Sequence, residues 1–131
     1  MKILITGGTG FIGAHLAKHC ALKNNTVHIC DNNLRGRNDE FISSLIEEYN
    51  VKFIKMDLTV KSEMSKLDTD YDVVYHLAAI NGTENFYKIP YSVFEVALKS
   101  TMNLLEHLNK KTLYFPRHLK YMLEQLKTMI I

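Results

Sequence analysis

The chain has 131 residues, 47% of them apolar, enough for one domain with a real core and too few for two substantial ones. Its net charge of +2 is close to balance and its six histidines are scattered, so no basic tract marks nucleic acid and no acidic tail marks a solvating segment. Two cysteines, Cys20 and Cys30, make no disulfide framework or zinc-like spacing, and the opening run Ile3-Leu4-Ile5 is too short for a signal core or membrane span, so buried thiols in a soluble cytoplasmic protein are expected.

Lys2 to Thr6 reads as a first strand, apolar and bounded by polar residues. It runs into the turn Thr6-Gly7-Gly8-Thr9-Gly10-Phe11-Ile12-Gly13. The spacing then predicts a helix over Phe11 to Leu22, stopped by the turn-forming pair Asn24-Asn25. Val27 to Cys30 reads as a second strand. Asp39 to Tyr49 reads as a second helix, with Phe41, Ile42, Leu45, Ile46 and Tyr49 at the spacing of one face. Val51 to Met56 and Val73 to Leu77 read as further strands, and Tyr91 to Leu108 as a longer helix just after Pro90. Almost wholly apolar strands alternating with helices imply a parallel sheet covered on both faces, the doubly wound α/β architecture.

The glycine turn carries the chemistry. Gly7, Gly10 and Gly13 follow an apolar strand and open a helix, and the acidic residue Asp31 ends the next strand about twenty residues on. In that context Gly7 lets the chain turn sharply, Gly10 removes a side chain that would hold a pyrophosphate away, and Gly13 lets the helix pack on the sheet. The amides near Phe11 and Ile12 would point at phosphate, helped by the helix dipole. A carboxylate at Asp31 can accept from both adenosine ribose hydroxyls and would repel a 2′-phosphate, which favours NAD over NADP. Arg35 and Arg37 in the following loop complicate that preference, since a guanidinium can receive a phosphate.

These residues and three later motifs carry a family resemblance. Thr6 to Leu16 resembles the opening of extended short-chain dehydrogenases that act on nucleotide sugars. Asp31-Asn32-Asn33-Leu34 with Gly36 resembles their ribose-binding loop, flanked here by Arg35; Asp57-Leu58 resembles their adenine-binding pair; His76-Leu77-Ala78-Ala79 resembles the end of their fourth strand under the cofactor. Leu113-Tyr114-Phe115 looks like the fifth strand. The expected fold is a Rossmann fold, incomplete where the resemblance stops, of about five strands plus a C-terminal helix; the resemblance implies NAD as cofactor and transient oxidation of nucleoside-diphosphate sugars leading to epimerisation or dehydration. Some of these residues have plainer readings. Asp57 could cap the segment after its strand; His76 reads as packed at a strand end; His15 and His19 read as surface or boundary residues, without a third metal ligand. Asn81-Gly82-Thr83 either borders the nicotinamide and sugar, as the resemblance implies, or is a plain turn.

The family's base is a Tyr with a Lys four residues later, whose charge brings the phenol pKa toward working pH. None of the seven tyrosines has Lys at that distance, so no catalytic residue and no metal ligand is assigned. Pro116-Arg117-His118 stands where the family has a Ser or Thr, and Ala97 where many members carry Asn. Beyond Pro116, Leu119, Met122, Leu123, Leu126 and Ile130 form an apolar stripe at helical spacing. The expected organisation is a dinucleotide-binding domain over 1–115 and a helical tail over 116–131, a truncated and catalytically silent form by frameshift or premature stop, or with a replacement cap. The alternatives are an enzyme completed by another chain, or an interaction module dimerising through helices 91–108 and 117–130 with a vestigial pocket.

Overall fold

A computed structural model of the chain describes residues 1–34, 39–80, 82–108 and 112–114. The expectations for Arg35, Gly36 and Arg37, for Asn81, for Phe115 and for the 116–131 segment lie outside these residues. In chain order the elements are β1 (Lys2–Thr6), α1 (Phe11–Leu22), β2 (Thr26–Asp31), α2 (Glu40–Glu47), β3 (Lys52–Lys55), a 3-10 helix (Lys61–Lys66), β4 (Val73–His76), α3 (Thr83–Lys88), α4 (Pro90–His107) and β5 (Thr112–Tyr114).

All described strand pairs are parallel, in the order β3-β2-β1-β4-β5. The chain leaves β1 toward one edge, through β2 and β3, then returns to the other side for β4 and β5. That reversal opens a crevice at the carboxyl ends of β1 and β4, where doubly wound sheets hold their ligands.

Alternation along the strands feeds two cores. Ile3 and Ile5 of β1 join Val27 and Ile29 of β2 against Ala14, Ala17 and Cys20 of α1 and Ile42 and Leu45 of α2. The intervening Leu4 and Cys30 join Ile54, Met64, Tyr71, Val74 and Leu104 on the other face. A sheet buried on both sides needs apolar residues of both parities, which is why its strands read as nearly continuous apolar runs.

Several local rules hold residue by residue. Asn24 takes φ +59 after α1, a left-handed conformation that asparagine tolerates, and the Asn25 side-chain amide donates to the Cys20 carbonyl at 2.9 Å. Asp39 caps α2 by accepting from the Ile42 amide, and Pro90 begins α4, where its missing N–H has no helical partner to lose. Other expectations are corrected. α2 ends at Glu47 and leaves Ile46 exposed, so the apolar face is Ile42 and Leu45 with Phe41 and Tyr49 flanking it. β3 is shorter than Val51 to Met56: it is the sheet edge, and Lys52 and Lys55 face water there, a charge arrangement that discourages edge pairing. The 3-10 helix and α3 carry no periodic apolar face, burying Met64 and nothing respectively, so hydrophobic spacing did not reveal them.

The amino end of the sheet is tied by charge. Lys2 pairs with Asp68 at 2.8 Å and with Asp70, its backbone amide donates to Asp72, and its ammonium lies over the Tyr71 ring. Tyr71 and His28 share a buried hydrogen bond of 2.8 Å. Burial, with Lys52 nearby, holds His28 below the ordinary histidine value, and burial holds His76 down at about 4. Both are neutral in the fold and more basic when unfolded, so acid favours the unfolded chain. Stability is therefore expected to be full above about pH 6.5 and to decline as the pH falls toward 4. A second loss follows below about pH 4, because Lys2 holds the Asp68 and Asp70 carboxyls below their ordinary value. Urea midpoints across this range test the sign; a flat midpoint from neutral pH down to about 4.5 would contradict neutral burial.

Candidate functional site

Three loops converge at the carboxyl end because each continues a strand ladder by one bond. Gly8 N–H donates to Cys30 O at 3.2 Å, Met56 N–H to Asp31 O at 3.0 Å, and Leu77 N–H to Thr6 O at 3.2 Å. Gly7 then turns the chain with φ +67, a value that L side chains rarely adopt. A Cβ there would also sit 2.9 Å from the Ala78 amide nitrogen, so the exits of β1 and β4 touch. The turn closes with Gly10 N–H donating to Gly7 O at 3.1 Å.

Of the remaining glycines, Gly8 has a role of its own and Gly13 departs from expectation. At Gly8 a Cβ would overlap Ile29 of β2, so Gly8 is the close approach to the sheet. At Gly13 it would overlap the Gly7 carbonyl oxygen and lie 2.8 Å from Gly8 Cα. Gly13 thus seats α1 on the turn itself, not on the sheet. At Gly10 the only neighbour among the described residues is Gly7 O at 3.3 Å, and these residues leave the rest of the space open. Gly10 is also the N-cap of α1, which no side chain caps and whose first turn holds no acidic residue. Its leading amides suit an anion.

A cleft of about 320 Å³ opens over this turn. Its lining brings together Gly7, Gly10, Asp31, Asn32, Asp57, Leu58, Leu77, Ala78 and Ala79 of the predicted set, from four separate stretches of sequence. Leu34 adds to the β2 side, Cys30, Met56 and Thr59 to the floor and β3 side, and Ile80, Asn85, Ile89, Val96 and Ser100 to the far wall. The Cys30 thiol is fully buried there, and burial pushes its pKa upward, so it stays protonated.

Asp31 is the junction of the rim. One carboxylate oxygen accepts from the Thr9 amide at 3.2 Å and the other from the Asn33 amide at 2.9 Å. Among the described residues these are its donors, which leaves about two of the roughly four acceptor sites a carboxylate offers. Asn33 takes φ +60, and it turns its loop around Asp31 without lining the cleft. Asp57 accepts from both the amide and the hydroxyl of Thr59, at 2.9 and 2.7 Å, so it does organise the segment after β3 while also facing the cleft.

Phe11 and Ile12 present exposed side chains, 82% and 71%, and neither residue lines the cleft. Phe11 and His15 border a separate cavity between α1 and the start of α2, with Asp39 and Phe41 opposite. His15 and His19 are exposed. Gly82, with φ +111, leads into α3, whose Asn85 reaches the cleft wall.

At the exit of β4, His76 is 1% exposed and bonded on both ring nitrogens, to Thr6 at 2.7 Å and Ser100 at 3.3 Å. It is a packed residue. The register of α4 turns Val96 and Ser100 to the cleft, while Ala97 is buried outside its lining. Among the residues whose side chains are described no tyrosine lines the cleft, and among the described residues no group of three His, Cys, Asp or Glu could hold a metal ion. No described helix is long and apolar enough to cross a membrane.

A family model described as "NAD dependent epimerase/dehydratase family" matches residues 3–117. The chain is 36% identical over 107 residues to the UDP-N-acetyl-alpha-D-glucosaminuronate decarboxylase of Bacillus cytotoxicus, covering 80% of this chain and 32% of that protein. It is 34% identical over 110 residues to the dTDP-glucose 4,6-dehydratase of Salmonella typhimurium, covering 81% and 30%. The solved UDP-glucose 4-epimerase of Thermus thermophilus, a complex with NAD, superposes with a TM-score of 0.68 at 29% identity, covering 82% of this chain and 33% of that one. The chain thus spans about a third of the length of the curated relatives it matches.

Proposed function

The chain belongs to the NAD dependent epimerase/dehydratase family, and from that premise we propose that the cleft over the glycine turn holds NAD. The observation that carries this reading is Asp31, which ties the glycine turn to the β2 loop and keeps acceptor capacity at the rim. In this reading the amides of Phe11 and Ile12, beside Gly7, Gly10 and Gly13, receive the pyrophosphate. Asp31 accepts from the adenosine ribose hydroxyls, within a loop completed by Asn32, Asn33, Arg35 and Gly36. Asp57 and Leu58 border the adenine, and Leu77, Ala78 and Ala79 underlie the nicotinamide half. The cleft suits the group: space stands open above Gly10, and the helix dipole offsets phosphate charge. NAD supplies a reversible hydride acceptor for a sugar hydroxyl.

Residues 1–115 form the dinucleotide-binding domain in this proposal, and 116–131 a separate segment. The substrates of the whole proteins are nucleoside-diphosphate sugars, and the setting is cytoplasmic. These 131 residues hold cofactor without turning it over, since no tyrosine is followed four residues later by a lysine to act as base. Titration calorimetry is expected to show saturable NAD binding below about 1 mM, and incubation with NAD and UDP-glucose or dTDP-glucose to give no product. Absence of heat into the millimolar range would remove the cofactor reading; epimer or 4-keto product from pure protein would remove the silent one.

A second reading is favoured by α4, whose exposed Tyr91, Leu98, Met102 and Leu105 recur at a seven-, four- and three-residue spacing. Such a seam suits pairing with a second copy of the chain.

A further inference from the structure

We infer that Thr6, His76 and Ser100 form a one-directional hydrogen-bond relay that positions the β4 exit, Leu77 and Ala78, as the floor of the cofactor cleft. This rests on the NAD reading above for its effect on affinity, but the relay itself stands on geometry alone.

The direction follows from counting protons. The Thr6 hydroxyl oxygen has two lone pairs and one hydrogen. It accepts from the Ala78 amide at 3.1 Å and, at 3.1 Å, from the Leu77 amide, whose hydrogen it shares with the Thr6 carbonyl at 3.2 Å; with both lone pairs facing donors, its hydrogen is left to donate to His76 Nδ1 at 2.7 Å. A neutral imidazole that accepts at Nδ1 carries its proton on Nε2, which donates to Ser100 Oγ at 3.3 Å. The Ser100 hydroxyl in turn donates to the Ala97 carbonyl at 3.3 Å. The order is thus Leu77 and Ala78 amides, Thr6, His76, Ser100, and a backbone carbonyl of α4. Thr6, His76 and Ser100 are each at most 1% exposed, so water does not compete at the joints.

The relay acts where the sheet ends. The paired register of β1 and β4 stops at Thr6 and His76, yet the next two residues must lie against Gly7 to shape the cleft. Ladder pairing reaches Leu77 alone, and Ala78 is held by the Thr6 hydroxyl. Ser100 lines the same cleft from α4, so the relay joins the cleft's floor to its far wall. Thr6, His76 and Ser100 are positioning residues: they act through Leu77 and Ala78.

Three measurements test it. Nitrogen-15 NMR of the imidazole in the unmodified protein is expected to show His76 protonated on Nε2 and bare on Nδ1. Thr6→Val, nearly isosteric without the hydroxyl, is expected to lose slow hydrogen exchange at the Ala78 amide and to weaken NAD by about tenfold. Thr6→Ser is expected to restore both to within about twofold. A proton on Nδ1 in the unmodified protein overturns the relay, whatever the variants do. Unchanged Ala78 exchange in folded Thr6→Val also overturns it, and unchanged NAD affinity overturns its positioning role. If the unmodified protein binds no NAD, the cofactor reading fails, while the imidazole and exchange measurements still decide the relay.

Discussion

Gly13→Val is expected to abolish NAD binding and to destabilise the chain by about 3 kcal/mol or more. The added carbons fall on the Gly7 carbonyl oxygen and on Gly8 Cα, which are backbone atoms of a turn already committed to its shape. Relief requires α1 to move away. That helix packs through the small residues Ala14, Ala17 and Cys20 against strands whose side chains fill both cores, so displacement opens voids along its length. The same displacement moves the leading amides of α1 off the turn. Gly10→Ala separates the two effects. Among the described residues its methyl meets one atom at 3.3 Å and otherwise enters the open cleft, so stability should change by less than about 1 kcal/mol while NAD affinity falls. Urea denaturation and calorimetry on both variants make the comparison. Wild-type stability in Gly13→Val would show that α1 is not seated on the turn.

Asp31→Ala is expected to weaken NAD by about a hundredfold and NADP by much less, so that the preference for NAD narrows. The carboxylate would meet a 2′-phosphate with like charge and ribose hydroxyls with acceptors, and the substitution removes both effects. The variant should also lose about 1–2 kcal/mol of stability, because the bonds to Thr9 and Asn33 go with the carboxylate. Asp31→Asn separates structure from charge: it keeps an acceptor for one of those amides and removes the repulsion. Equal losses for the two cofactors in Asp31→Ala would show that the carboxylate does not face the ribose.

Much of the site was legible because its demands are local. A turn that must leave a strand with φ +67 selects glycine at position 7 wherever the rest of the chain lies. An acid at the end of the second strand, a pair after the third and a short apolar stretch after the fourth all sit at strand exits, and parallel strands bring their exits to one edge. Asp31 was therefore findable from order alone, and Asp57 and Leu77 once the family resemblance named those exits. Ile89, Val96 and Ser100 were not, since the rotation of α4 against the sheet decides which of its residues reach the cleft. Asn85 belongs to α3, which buries no residue and so has no period to read. Thr6 was visible as part of the turn, but its partners were not.

By itself the sequence determined the alternation of apolar strands with helices, hence the parallel doubly wound sheet, and it placed a glycine turn and an acid where such a sheet offers a dinucleotide site. Only the tertiary structure decided that Gly8 meets the sheet and Gly13 the turn, which residues of α4 face the cleft, and that Thr6, His76 and Ser100 meet. The physical reason is range. Backbone conformation and burial periodicity are set within a few residues, whereas a hydrogen bond between side chains far apart in the chain exists only once the strands have fixed their register and the helix its rotation.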